Sequence, residues 1–106
     1  MTPIEIHSKI IAEFMGAEYL KNLDCYLFQI EPTNHSSCRF DLGEMKYHTS
    51  WDWLHPVWVK FSQMVTEKNI YKKMAVTIDN IGFFILREKT PLKAFEAIAN
   101  AIKLMK

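Results

Sequence analysis

Glycine is scarce in this sequence: Gly16, Gly43 and Gly82 are the three in a chain of 106 residues. That scarcity leaves no glycine-rich loop to cradle phosphates, which removes the common nucleotide-binding folds. It also leaves no nucleophile elbow to hold a catalytic serine beside an oxyanion hole. No apolar run is long enough to span a bilayer, so a membrane is not an expected partner. The opening Met1-Thr-Pro-Ile-Glu-Ile lacks a basic start and an unbroken apolar stretch, and no secretion signal is expected. Charge of one sign is missing too. The net charge is +1, whereas a dedicated nucleic-acid binder carries a basic face, so nucleic acid is not an expected partner either. Cysteine is limited to Cys25 and Cys38. In a hairpin turning at 32–37, Cys25 faces a residue near Glu44 and Cys38 one near Glu31, a poor geometry for a disulfide. Two free, reduced thiols in a cytoplasmic protein are expected.

What the chain does have is apolar content. Hydrophobic residues make up 49%, enough for a folded core, and the length predicts one domain over residues 1–106. All three tryptophans fall between Tyr47 and Val65. Thr49, Ser50 and Asp52 read as an approximate capping box there. The carboxylate also suits the positive end of a helix. Pro56 lies too deep for a first-turn proline, which predicts a tight first turn or a mild kink. Trp51, Leu54, Trp58, Phe61 and Val65 then share one face of a central helix, flanked by Val57 and Met64.

Around it, Thr2-Pro3-Ile4-Glu5 is a capping box with proline at the first helical position. It predicts a helix to about Met15, stopped by Gly16, with Ile4, His7, Ile11, Phe14 and Met15 inward. Cys25–Ile30 and Cys38–Leu42 read as strands. Asn69 is a left-handed cap after the central helix. Met74–Ile78 and Phe83–Leu86, joined through Asp79-Asn80-Ile81-Gly82, read as a second hairpin. Thr90-Pro91 repeats the opening device before a last helix with the stripe Leu92, Phe95, Ile98, Ala99, Ile102 and Met105. The strands do not alternate apolar with polar, so both sheet faces are expected to be covered. The expected fold is α+β: a helix–sheet–helix sandwich in the order αββαββα, with a four-stranded, mainly antiparallel sheet. The central helix is expected to cover one face alone.

Chemistry is thinly represented. Ser50, Asp52 and His55 lie close along the chain, but a triad also needs an oxyanion hole and a shaped pocket, and no motif here supplies one. Capping explains Ser50 and Asp52 without catalysis, and no enzyme is expected. His35-Ser-Ser-Cys38, with Cys25 or His48, has ligand types, yet a zinc site shows two compact ligand pairs. No metal or other cofactor is expected. Lys60, Lys68, Lys72 and Lys73 suit a solvated helix end. Surplus hydrophobicity is the more informative feature. Trp53 and Val59 point away from the central-helix stripe, and Tyr71 follows among lysines. Aromatic anchors are enriched at interfaces, so this surface is expected to bind a protein partner or a second copy. On that reading Trp53→Ala leaves the fold intact and removes an association. Alternatively, the loop before the helix or a chain terminus covers Trp53. A different class of function is a small-molecule or nucleotide pocket near His48, His55 and the strand ends.

Ile11-Ala-Glu-Phe-Met-Gly16 and Tyr47-His-Thr-Ser-Trp-Asp-Trp-Leu-His-Pro-Val57 together resemble a group of small phage and prophage proteins, the phage ABA-sandwich domain. That group pairs an A-E-x-x-M-G helix end with a Y-x-[ST] helix start and a closing amphipathic helix. This chain departs after the proline: Trp58 and Val59 stand where such proteins tend to have a smaller residue and then an acidic one. The resemblance implies a layered fold and a phage-related cytoplasmic setting, and it implies no activity or catalytic residue.

Overall fold

Two helices of this chain end in the same way, and both endings are written in its sequence. In the computed structural model, which describes residues 2–28 and 39–105, α1 spans Pro3–Phe14. Thr2 accepts from the Glu5 N–H, and the Glu5 side chain returns a bond to the Thr2 N–H, so the capping box is complete. At the other end Gly16 takes φ +85°. The Ala17 N–H donates to the Ala12 carbonyl and the Gly16 N–H to Glu13, both at 3.0 Å, a Schellman motif. The second helix, α2 (Trp51–Glu67), closes alike. Asn69 has φ +53°, and the N–H groups of Ile70 and Asn69 donate to Val65 and Thr66.

Between them lies an antiparallel sheet of three strands in the order β1 (Glu18–Leu20), β2 (Cys25–Leu27) and β3 (Arg39–Phe40). Register puts Tyr19, Tyr26 and Phe40 side by side. Tyr26, Phe28 and Phe40 are buried, whereas Cys25 and Leu27 on the other face are half-buried.

After α2, a three-residue connection leads to α3 (Tyr71–Arg87), and α4 (Leu92–Met105) follows. The protein is thus α+β, but residues 74–78 and 83–86 are not the expected hairpin: they lie in one helix. Met74, Ile78, Ile81 and Ile85 recur at helical spacing and pack into the core, and this 3.6-residue period overrides the β-branched and aromatic propensity of the segment. Among the described residues the order is αβββααα. The helices pack chiefly on one another rather than as two layers about a four-stranded sheet. α1, α2 and α3 all contact α4, so α4, not α2, is the helix the others surround. Accordingly α4 buries Ala94, Phe95, Ile98, Ala99, Ala101 and Ile102, a wider arc than one stripe.

Candidate functional site

α2 begins with a tight turn. The Trp53 and Leu54 N–H groups both donate to the Ser50 carbonyl at 3.2 Å, and the helix continues through Pro56. Ser50 is the N-cap but makes no side-chain capping bond, so the expected capping box is replaced by backbone bonds alone. The buried side of α2 is Trp53, Leu54, Val57, Phe61 and Val65, while Trp51 and Trp58 are half-buried. Trp53 is 2% exposed, wedged between Phe40 and Tyr47, whose ring centroids stand 5.0 and 5.1 Å away. A contact surface centred on Trp53 is therefore ruled out. The residue joins α2 to β3 and to the segment before the helix, the covering that the alternative reading gave it.

The other residues singled out in the sequence scatter. Val59, 39% exposed, and His55 lie on the outer side of α2. Tyr71 is the first residue of α3. His48 is half-buried and packs on Phe95 at 5.7 Å, with His7 on the same ring at 5.7 Å. The Nδ1 atoms of both histidines are buried without a hydrogen-bond partner. His48 thus takes part in the core around α4, whereas His55 lines a shallow groove with Trp51, Asp52, Pro56 and Ile85. The structure does not bring His48 and His55 into one pocket there. No hydrogen bond joins Ser50, Asp52 and His55 among the described residues. His35 and Cys38 fall outside the described residues, and Cys25 is a free thiol. Lys60, grouped with the solvated lysines in the sequence, instead donates to the Phe14 carbonyl at 2.6 Å and lies over the Phe14 ring. It fastens α2 to the C-terminal end of α1, where a cation suits the helix dipole.

The groove shows that the start of α2 lies beside the end of α3, so the two form an antiparallel helical hairpin. On its outer side α3 carries Val76, Phe83 and Leu86, which are 75%, 53% and 87% exposed. At about 100° per residue these three fall within about 80° of arc. Arg87 lies over the Phe83 ring, 4.9 Å from its centroid. Lys72, Lys73 and Arg87 surround this face, and Asp79 opposes them. The misreading of α3 as strands concealed this face in the sequence; a helical reading of 71–87 exposes it.

A second concavity, of about 580 Å³, opens between α1 and the turns at 23–24 and 41–43. Glu5, Lys9 and Glu13, spaced by four along α1, form one wall. Asp24 and Asp41 lie across from them. Tyr19 donates to Asp24 Oδ1 at 2.7 Å, which, with the nearby charges, raises its phenol pKa. Asp41 and Glu44 exchange bonds with each other's backbone N–H at 2.9–3.0 Å, fixing that turn. Burial, and next the carboxylates of Glu13 and Asp24, hold the Tyr26 phenol protonated above its usual range. Among the described residues no three histidine, cysteine or acidic side chains converge as a metal site would need, and no helix is long and apolar enough to cross a membrane. Comparison with protein-family models, with curated proteins and with solved structures finds no match to this chain.

Proposed function

We propose that this chain is a non-enzymatic association module, of the cytoplasmic phage or prophage type its sequence resembles, and that it binds another protein through the outer face of the α2–α3 hairpin. The observation that carries this reading is the alignment of Val76, Phe83 and Leu86 on one exposed helix face. Single exposed apolar residues are ordinary; three in one stripe, bordering a groove that contains His55 and Ile85, form a patch of the kind that marks interaction sites. Val59 lies one turn along α2 from His55 and extends the same hairpin surface.

Charge selects the occupant. If two α3 helices paired antiparallel about the midpoint between Asp79 and Asn80, Val76 would meet Phe83, but Lys72 would meet Arg87. Like charges would then face each other at both ends, which disfavours a second copy of this chain. The complementary partner is an apolar surface, helical in the simplest case, with an acidic border. Pull-down from the native host with wild type and with the Phe83→Ser/Leu86→Ser double variant tests this. A partner retained by wild type, weakened by salt and lost with the double variant is the expected result. Retention by the double variant, or dimerisation of wild type seen by light scattering, overturns it.

A further inference from the structure

Pro56 lies inside α2 and carries no N–H, so the Asp52 carbonyl is denied the bond that an α-helix brings from four residues on. A helical proline ring also crowds that carbonyl. Asp52 and Pro56 both line the groove between the start of α2 and the end of α3, together with Trp51, His55 and Ile85. A main-chain acceptor thus stands in a wall built largely of indole, proline ring and aliphatic side chain. We propose that the partner bound through α3, on the reading given above, seats a tryptophan side chain in this groove, its indole N–H donating to the Asp52 carbonyl.

The walls of the groove are held in place. Trp51 Nε1 donates to the Lys89 carbonyl at 3.2 Å, which ties the start of α2 to the segment after α3 and fixes the Trp51 ring. Ile85 packs against the core. A site formed in advance loses little freedom when a guest enters. Its volume, about 490 Å³, is in the range of small-molecule sites and accommodates one large side chain.

The groove's surfaces select the guest. Aromatic and proline walls favour a flat ring. The acceptor calls for a donor, which excludes phenylalanine. Charge disfavours arginine and lysine, because Arg87 and Lys89 stand at this end of the hairpin and like charges repel. The Asp52 carboxylate does not reverse this: it lies in the first turn of α2, where it complements the positive end of the helix dipole. Tryptophan combines a donor-only tip with a large apolar area and is among the residues enriched at interface hot spots. Leu86 follows Ile85 in the sequence, so a partner lying on Phe83 and Leu86 passes the mouth of the groove.

Titration of the isotope-labelled full chain with N-acetyl-tryptophanamide, followed by backbone amide shifts, tests the groove without any partner. Shifts are expected to centre on residues 51–56 and 85 at millimolar probe. The N-methylindole analogue lacks the donor and is expected to bind about threefold to tenfold more weakly. Pro56→Ala supplies the missing N–H and gives the Asp52 carbonyl its helical bond. It is therefore expected to raise the melting temperature and to abolish the preference for the unmethylated probe. Loss of that preference, rather than weakening alone, is diagnostic, because alanine also removes part of the wall. Phe83→Ser/Leu86→Ser changes no groove residue and is expected to leave the titration unchanged. The proposal is overturned by shifts that are absent or centred elsewhere, by equal affinity for the methylated probe, or by a preference that survives Pro56→Ala and so assigns the acceptor to His55. Tighter binding of free tryptophan, or of N-acetyl-tyrosinamide, overturns it as well. A failed titration strikes this anchor and leaves the α3 association standing, whereas a pull-down without a partner strikes the association whatever the titration shows.

Discussion

The indole of Trp53 meets the ring of Phe40 edge to face, with centroids 5.0 Å apart and planes at 82°. Tyr47 stands on it in the same manner at 87°, so one side chain joins helix, strand and loop. Edge-on pairs of this kind add to the energy of area burial. Trp53→Ala is expected to cost about 3–5 kcal/mol, read from the urea midpoint, with the unfolding slope unchanged. A loss under about 1 kcal/mol would mean that the site collapses around the gap far better than cores generally do.

Leu86 gives the opposite expectation. It is the most exposed of the three apolar side chains on α3, and its truncation to serine opens no cavity. Leu86→Ser is expected to change stability by no more than about 0.5 kcal/mol while impairing association. Phe83→Ser forfeits in addition the contact with Arg87, worth about 0.5–1 kcal/mol at an exposed site. Thermal melts of the two single variants separate these effects.

Ser8 is fully buried, and its Oγ has no hydrogen-bond partner. Alanine removes the unpaired hydroxyl and is also the better helix former. Ser8→Ala is expected to stabilise the protein by about 1 kcal/mol, measured by chemical denaturation. Destabilisation instead would show that the hydroxyl has a water or other partner.

Burial raises the pKa of Tyr47 well above the ordinary tyrosine value. A group that holds its proton more tightly when folded stabilises the fold fully below its unfolded pKa, about 10 for tyrosine. Above that pH the unfolded chain ionises first, so stability falls as pH rises. Tyr26 is shifted in the same direction and adds to the slope. Urea midpoints above pH 10 are expected to fall steeply for wild type and less steeply for Tyr47→Phe. Parallel pH profiles for the two would exclude Tyr47 as a source of the alkaline loss.

Asn69 occupies left-handed backbone at φ +53°, where asparagine is tolerated, glycine costs nothing sterically and β-branched residues are outliers. Asn69→Gly is expected to be neutral within about 0.5 kcal/mol, whereas Asn69→Val is expected to cost about 1–2 kcal/mol. Differential scanning calorimetry resolves the contrast.

The helix ends were the most legible part of the fold. Thr2, Glu5, Gly16 and Asn69 act locally, through one or two backbone groups each, and local sequence is sufficient to place them. The starts of α2 and of the last helix near Pro91 fall where expected, although Ser50 makes no side-chain cap bond and Pro91 lies just outside the helix. Residues 71–87 were not, because their β-branched and aromatic side chains, with Asp79-Asn80 and Gly82 between them, imitate two strands and a turn. The recurrence of Met74, Ile78, Ile81 and Ile85 was the competing signal, and it prevailed once α2 and α4 supplied a surface to pack on. β1 went unassigned because Glu18–Leu20 carries little apolar pattern of its own; pairing with β2 makes it a strand. Trp53 illustrates a different limit. A single helical stripe locates one neighbour, but α2 meets α3, α4 and the sheet, so its covered arc is wider than periodicity alone conveys. The acidic cleft was illegible for a related reason: Glu5, Asp24 and Asp41 are far apart in sequence and share a space only through the tertiary fold.

That α4 is the helix against which α1, α2 and α3 all rest has a bearing on how the chain matures. A ribosome delivers residues in order, so three helices emerge before the scaffold that unites them exists. Until Phe95, Ile98 and Ile102 arrive, the nascent chain presents grease with nowhere to put it, and this interval is when chaperones would engage it or neighbours would entangle it. Stop codons just ahead of Leu92 should therefore yield a product cleared by proteases rather than a smaller working domain.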